Sequence, residues 1–277
     1  MRPTPFKIPE WNAAPQPDKK LLVVYEQGFG DTLQFVRYLP IVRSRVGQIQ
    51  LLCPPQLRRL LEGTPGADIL LVDGKAVPDA DLQAPLASLP LVMRTTVDTI
   101  PAAIPYIMAP PEEVVRWKAR LGEGFKIGLV WCGNPSNKRD ALRSCRLADF
   151  APLAEIPDVR FLTLQVGPGS EQAQSPPAGL ALEDFTEHIK DFADTAGLLA
   201  NLDLVVAVDT AVVHLAGAMG VPTFTLIDTA NDWRWMVERE ETPWYPGMRL
   251  FRQKTRGDWA DVVERVKQRI LDLRRPT

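Results

Sequence analysis

"KKLLVVYEQGFGDTLQFVRYLP", residues 19–40, is the stretch on which the fold class turns. Its opening run is short, continuous and apolar, the mark of a strand buried on both faces. Gly28 and Gly30 break that run. Asp31 and Thr32 then open a segment in which Leu33, Val36, Leu39 and the Ile41–Val42 pair recur at helical spacing. A strand, a glycine turn and a helix begin a parallel α/β unit. Such a turn needs one glycine and a cap, so the second glycine, Asp31 and the flanking Glu26 are left over. One account makes Asp31 a plain helix cap. The other makes it a carboxylate at a strand end, with the glycines as clearance for a ligand.

Working outward, the same alternation continues. "IQLLCPP" and "ADILLVD" read as strands with the helix "PQLRRLLEG" between them, and "LPLVM", residues 89–93, reads as a further strand. The proline-dense residues 98–114 read as a linker. A helix at 112–122 follows, with acidic residues at its start and Gly122 at its end. A second series is then expected. It comprises strand 126–132, a helix near 147–154, strand 159–165, helix 194–202, strand 203–209, helix 211–220, strand 221–227 and an amphipathic helix from 258. Two βα series of similar size make a two-domain α/β protein with a cleft between them.

The bulk numbers fit two domains and exclude several classes. The chain has 277 residues, 45% hydrophobic and 24% charged, with net charge −2. That balance favours neither nucleic acid nor an acidic membrane as partner. No apolar run approaches a membrane span, and the first 20 residues do not read as a signal peptide. This points to a cytoplasmic protein and leaves room for peripheral membrane contact. Cys53, Cys132 and Cys145 have no metal-ligand spacing and read as reduced thiols. The 26 prolines lie between apolar runs as loop punctuation.

Three further constellations carry chemistry. In "VVAVDTAVVHLAGAMGVP", residues 205–222, a buried strand ends at Asp209 and Thr210 and a helix starts at once. His214 lies one turn into that helix. Strand ends bind ligands in parallel sheets, and helix N-termini favour anions. Asp209 is placed to bind ribose hydroxyls or to hold His214 in one tautomer, and the amides around Thr210 and Ala211 to hold phosphate. A cap and a core histidine are the bland alternative. In "WCGNPSNKRDALRSCRL", residues 131–147, a turn at Gly133 and Asn134 precedes Lys138, Arg139, Arg143 and Arg146. These are either donors to a diphosphate or a solvated charged loop. In "NDWRWMVEREETPWYPGMRLFRQ", residues 231–253, aromatic rings alternate with arginines. Most of this reads as a packed seam, with Arg234 the best ligand candidate.

Taken in order, "EQGFGDTLQFVRYLP", "KIGLVWCGNPSNKRDALRS", "DFADTAGLLANLDLVVAVDTAVVHLAGAMGVP" and "DWRW" with "PWYP" and "MRLFRQ" resemble a known group. It is the glycosyltransferase domain that follows tetratricopeptide repeats in many bacterial proteins. That domain is similar to the glycosyltransferase family 9 heptosyltransferases and, more distantly, to the O-linked N-acetylglucosamine transferases. The resemblance covers about residues 20 to 270.

It implies a GT-B fold, with two Rossmann-like parallel-sheet domains facing a cleft and a C-terminal helix returning to the first domain. The domains expected are an extended arm at 1–19, an acceptor domain at 20–110, a nucleotide-sugar domain at 111–257 and the returning helix at 258–277. It implies transfer of a sugar from a nucleotide-diphosphate sugar to a hydroxyl acceptor, a saccharide, lipid-linked saccharide or protein, with inversion and without a metal or other cofactor. Asp31 matches the general base, with Gly28, Gly30 and Thr32 around it. Asp209, Thr210 and His214 match the D-T-x-x-x-H segment that contacts diphosphate and ribose. Lys138 and Arg143 fall where the family places phosphate-binding cations.

Ala211 stands where Gly or Ser is usual, and "RSC" replaces "RSI" or "RSL". No tetratricopeptide repeat precedes residue 20, which weakens the expectation of a protein acceptor docked by repeats. The rival reading is a non-catalytic nucleotide-sugar-binding or interaction module of the same fold. A nucleotide-sugar epimerase is a third reading, disfavoured by the presence of two histidines in all.

Overall fold

The computed structural model describes residues 6–74 and 78–275. The first half of the chain forms β1 (Gln16–Val24), α1 (Phe29–Phe35), α2 (Leu39–Arg43), β2 (Val46–Cys53), α3 (Arg58–Leu61), β3 (Ile69–Val72), β4 (Leu82–Pro85) and α4 (Leu89–Val92). Its four strands are parallel in the order β3-β2-β1-β4. Leu21 to Val24 are buried on both faces of β1, as a central strand between two neighbours requires.

After α5 (Pro111–Leu121) come β5 (Phe125–Val130), α6 (Asp140–Arg143), β6 (Val159–Thr163), β7 (Leu182–Asp184) and α7 (Phe192–Leu199). Then follow β8 (Leu204–Val208), α8 (Ala211–Met219), β9 (Thr223–Ile227), β10 (Met248–Arg252) and α9 (Trp259–Leu273). These six strands are also parallel, in the order β10-β9-β8-β5-β6-β7.

Both orders reverse direction once. In the first sheet the switch lies between β1 and β4, and in the second between β5 and β8. Crevices outside strand carboxyl ends form at such switch points. The turn after β1 holds residues 25–28, the loop after β5 begins at Trp131, and the turn after β8 holds Asp209 and Thr210. The three motifs therefore sit at the places where this topology opens a crevice.

Three expectations are corrected. Of the extended arm, residues 1–5 lie outside the described residues, but β1 already begins at Gln16. Before it, Glu10 bridges to Gln83, and Trp11 is buried against the sheet. Residues 89–93 are the helical turn α4, with Pro90 at its first turn, and the fourth strand is the preceding β4. The last helix does not return to the first domain. Its apolar face, Val262, Val263, Val266 and Ile270, joins the core of the second sheet with Phe150 and Leu153. Lys267 Nζ bonds Glu155 Oε2 at 3.0 Å, and Arg274 Nη2 the Asp158 carbonyl at 3.1 Å. The apolar stripe thus has its partner within the second domain. No helix among the described residues is long and apolar enough to cross a membrane.

Candidate functional site

The glycine turn after β1 is built around Asp31. Asp31 Oδ2 accepts the Gly28 N–H at 2.9 Å, which caps α1, while Oδ1 is gripped by Arg234 from the other half of the chain. The capping account thus describes one carboxylate oxygen, and the other makes an ion pair between the two halves of the chain. Arg234 is itself buried. Its Nε donates to Gln34 Oε1 at 2.7 Å and its Nη1 to Asp232 Oδ1 at 2.9 Å. Its guanidinium carbon lies 5.2 Å from the centroid of the Phe35 ring and 4.9 Å from that of Trp233.

The two glycines differ in purpose. A Cβ at Gly30 would stand 2.7 Å from His214 Cδ2, so that glycine is required by close approach of the two halves. A Cβ at Gly28 would meet nothing nearer than 3.4 Å. Phe29 beside them meets Phe192 edge-on at 5.1 Å. The strand-end surfaces of the two sheets face one another and touch.

On the second sheet, Thr210 is the N-cap of α8 in extended backbone, and its side chain makes no capping bond. Its Oγ1 is buried without a hydrogen-bond partner. The first-turn amides of α8, beginning at Ala211, accordingly lack a side-chain cap at the switch point. Burial pushes the Asp209 carboxyl above its ordinary value, against the opposing pull of the Trp235 indole and the Arg143 and Arg234 charges. His214 is 6% exposed. Burial, then the charges of Arg234, Arg37 and Arg143, hold its imidazole well below 6.5, so the ring is neutral. Its Nδ1 lies 2.9 Å from Tyr245 Oη, its face stacks on Trp235 at 5.4 Å, and its Nε2 stands 3.8 Å from Asp209 Oδ1.

The basic loop divides. Arg143 Nε bonds Asp140 Oδ1 at 3.2 Å, and the pair fills the space above Gly133, where a Cβ would come within 2.4 Å of Asp140. Arg143 acts electrostatically on both Asp209 and His214. Asn134 and Lys138 lie on the exposed part of the loop, where Asn134 Oδ1 accepts the Ser136 N–H at 3.0 Å. Thr32 is fully buried and has no surface open to a ligand. Glu26 is half-buried in the turn between β1 and α1.

Sequence reading missed Gln34, Arg37 and Tyr106, and placed Tyr245 in the packed seam of residues 231–253. Arg37, 4% exposed, donates to the carbonyls of Gln34, Pro101 and Trp244 and, at 2.7 Å, to Tyr106 Oη. It lies over the Tyr106, Trp244 and Tyr245 rings. The available signal was spacing: Gln34 and Arg37 follow Asp31 at i+3 and i+6.

The fold has known counterparts. Residues 190–263 match the model of glycosyltransferase family 9 (heptosyltransferase). That segment runs from just before α7 to the first turns of α9 and contains Asp209, His214 and Arg234. The structure of E. coli ADP-heptose LPS heptosyltransferase II aligns with a TM-score of 0.65 at 13% identity, over 92% of this chain and 98% of that one. A family 9 glycosyl transferase from Veillonella parvula aligns at 0.63 and 13%, over 87% and 88%. These likenesses are of fold: the α/β architecture with two parallel sheets is of the GT-B type. Protein FlbA of Caulobacter vibrioides is 29% identical over 298 residues, 97% of this chain. The chain spans about half the length of that curated relative.

Proposed function

We propose that the chain is a cytoplasmic, metal-independent, inverting glycosyltransferase. It moves a sugar from a nucleotide-diphosphate sugar to a hydroxyl of a saccharide, lipid-linked saccharide or protein. The observation that carries the reading is the meeting, at the switch points of two facing sheets, of the glycine turn with the Asp209-to-His214 segment through Gly30 and His214, beside the Asp31–Arg234 pair. The family 9 match over residues 190–263 supports the donor side.

In this mechanism Asp31 takes the proton of the acceptor hydroxyl as its oxygen bonds the sugar C1, and the C1–oxygen bond to the diphosphate breaks on the opposite face. A carboxylate has about four lone-pair sites. Gly28 and Arg234 use two and hold the group in place, so an acceptor hydroxyl has sites to address. The diphosphate leaves as an anion toward Arg143, Lys138 and the N-terminus of α8, where fixed dipoles and cations serve without a divalent ion. The Asp209 carboxyl suits ribose hydroxyls as an acceptor, and the buried, partnerless Thr210 Oγ1 suits a ribose or phosphate oxygen.

A thermal-shift screen against UDP-, ADP- and GDP-sugars tests the donor half. Saturation at 100 times Kd adds about 2.7 kcal/mol of stability. The preferred donor should then release free nucleoside diphosphate when an acceptor is supplied. No shift with any of the three series would remove the donor assignment. A shift without transfer to any hydroxyl would favour the non-catalytic module, for which the contact between the strand-end surfaces is the specific observation.

A further inference from the structure

The three side chains of the turn Trp233–Trp235 go to three different places. Trp235 is buried, and its indole stacks on the His214 ring at 5.4 Å. Arg234 crosses to the first sheet and pairs with Asp31. One short turn therefore touches both the segment assigned to the donor and the carboxylate assigned to the acceptor. Trp233 is its third member, and it keeps 61% of its surface in solvent. Trp244 meets it edge to face at 6.0 Å, and the guanidinium carbon of Arg234 lies 4.9 Å from its ring centroid. An indole covered on both faces could not stay so exposed, so a flat side remains open. The turn that carries it is closed by its own bonds. The Trp235 N–H reaches the Asp232 carbonyl and the Met236 N–H the Trp233 carbonyl, each at 3.1 Å. Asn231 Nδ2 donates to the Met236 carbonyl at 2.8 Å. Single exposed apolar residues need no explanation. This one differs: it is pre-placed, and it stacks on the cation that grips Asp31.

We propose that Trp233 is a stacking platform for the pyranose ring of the nucleotide-sugar, and so a residue that sets sugar specificity. The proposal rests on the glycosyltransferase reading, in which the sugar C1 lies between a diphosphate at the start of α8 and an acceptor oxygen at Asp31. The turn spans that gap, with Trp235 on one side and Arg234 on the other. An aromatic face is electron-rich, and a pyranose presents several C–H bonds, positive at hydrogen, on one side of its ring. Asp232, next in the chain, keeps a third of its side chain in solvent and can accept hydroxyls from the ring edge.

Calorimetry on the full chain tests this by comparing ADP, UDP and GDP with their glucose and N-acetylglucosamine conjugates. Trp233→Ala should weaken binding of the conjugate by about 3- to 10-fold, the range of one aromatic contact. It should leave the affinity for the matching bare diphosphate at the wild-type value, since that ligand has no sugar to stack. Trp233→Phe, which keeps a smaller ring, should recover most of the loss. A Trp233→Ala chain with unchanged conjugate affinity overturns the proposal. So does one in which conjugate and diphosphate weaken alike, because the residue would then only support its turn. If the wild-type chain binds none of the three diphosphates, the donor reading falls and the platform with it. Binding of the bare diphosphate thus tells the two failures apart.

Discussion

The turns that follow β1 and β8 occupy equivalent places, each at the switch point of its sheet, but their carboxylates are held differently. Around Asp31 both carboxylate oxygens are engaged from within the chain, by the Gly28 amide and by Arg234, whose guanidinium also meets Gln34 Oε1 and Asp232. Thr32 Oγ1 and Gln34 Nε2 nearby are buried without a partner. Around Asp209 the arrangement differs. The Asp209 carboxyl is half-buried with its pKa raised by desolvation, Thr210 Oγ1 is buried without a partner, and the α8 amides lack a side-chain cap. Unmet buried polar groups are costly and mark places where a ligand completes the structure. In the proposed reading the second turn receives the donor and the first holds one carboxylate still.

Breaking the first turn should give the largest effects. Asp31→Ala is expected to lower the rate of transfer by about 10² to 10⁴-fold, the usual contribution of a general base. Calorimetric nucleotide binding should remain close to wild type, and a wild-type rate would remove Asp31 from the chemistry. Arg234→Ala leaves Asp31 in a mostly buried place without its cation and should cost about 3 kcal/mol in urea unfolding. Arg234→Lys, which keeps charge but loses the fork, should fall between. Gly30→Ala adds a carbon against a ring pinned by Tyr245 and Trp235, and should cost about 1–3 kcal/mol.

The second turn is sharpened by pH. The His214 pKa is lowered in the fold, so its contribution is complete above about 6.5 and is lost as pH falls below that value. Stability should decline there by at most about 1.4 kcal/mol per pH unit from this group. His214→Gln should flatten that part of the curve; an unchanged slope would show that the ring is not buried neutral. The smallest effect belongs to the exposed loop. Lys138→Ala should weaken nucleoside diphosphate binding by no more than about 1 kcal/mol and leave the melting temperature alone.

How much of this was legible depends on what each residue reports. The runs at 21–24 and 204–208 are buried on both faces, so hydrophobicity alone marks them as strands. β10 buries Met248, Leu250 and Phe251 and leaves Arg249 and Arg252 half-exposed, and those charges made it read as a seam. β4 is four residues long and ends in proline, whereas the more apolar 89–93 is a helical turn. Short apolar runs do not separate strand from helix. In the site, Asp31, Asp209 and His214 stood out because strand ends are positions readable along the chain. The Arg234–Asp31 pair spans 203 positions in sequence and depends on how two sheets face each other, which no local pattern encodes.

Arg37 has a mechanical consequence. Four hydrogen bonds from one guanidinium tie α1, the linker and the 244–245 segment to a single point. A sliding displacement of one sheet past the other breaks the bonds to Pro101, Tyr106 and Trp244 together. A rotation about an axis through Arg37 keeps them while parting Asp31 from Arg234. The molecule should therefore open as a jaw on a fulcrum, with the bite at Gly30 and His214.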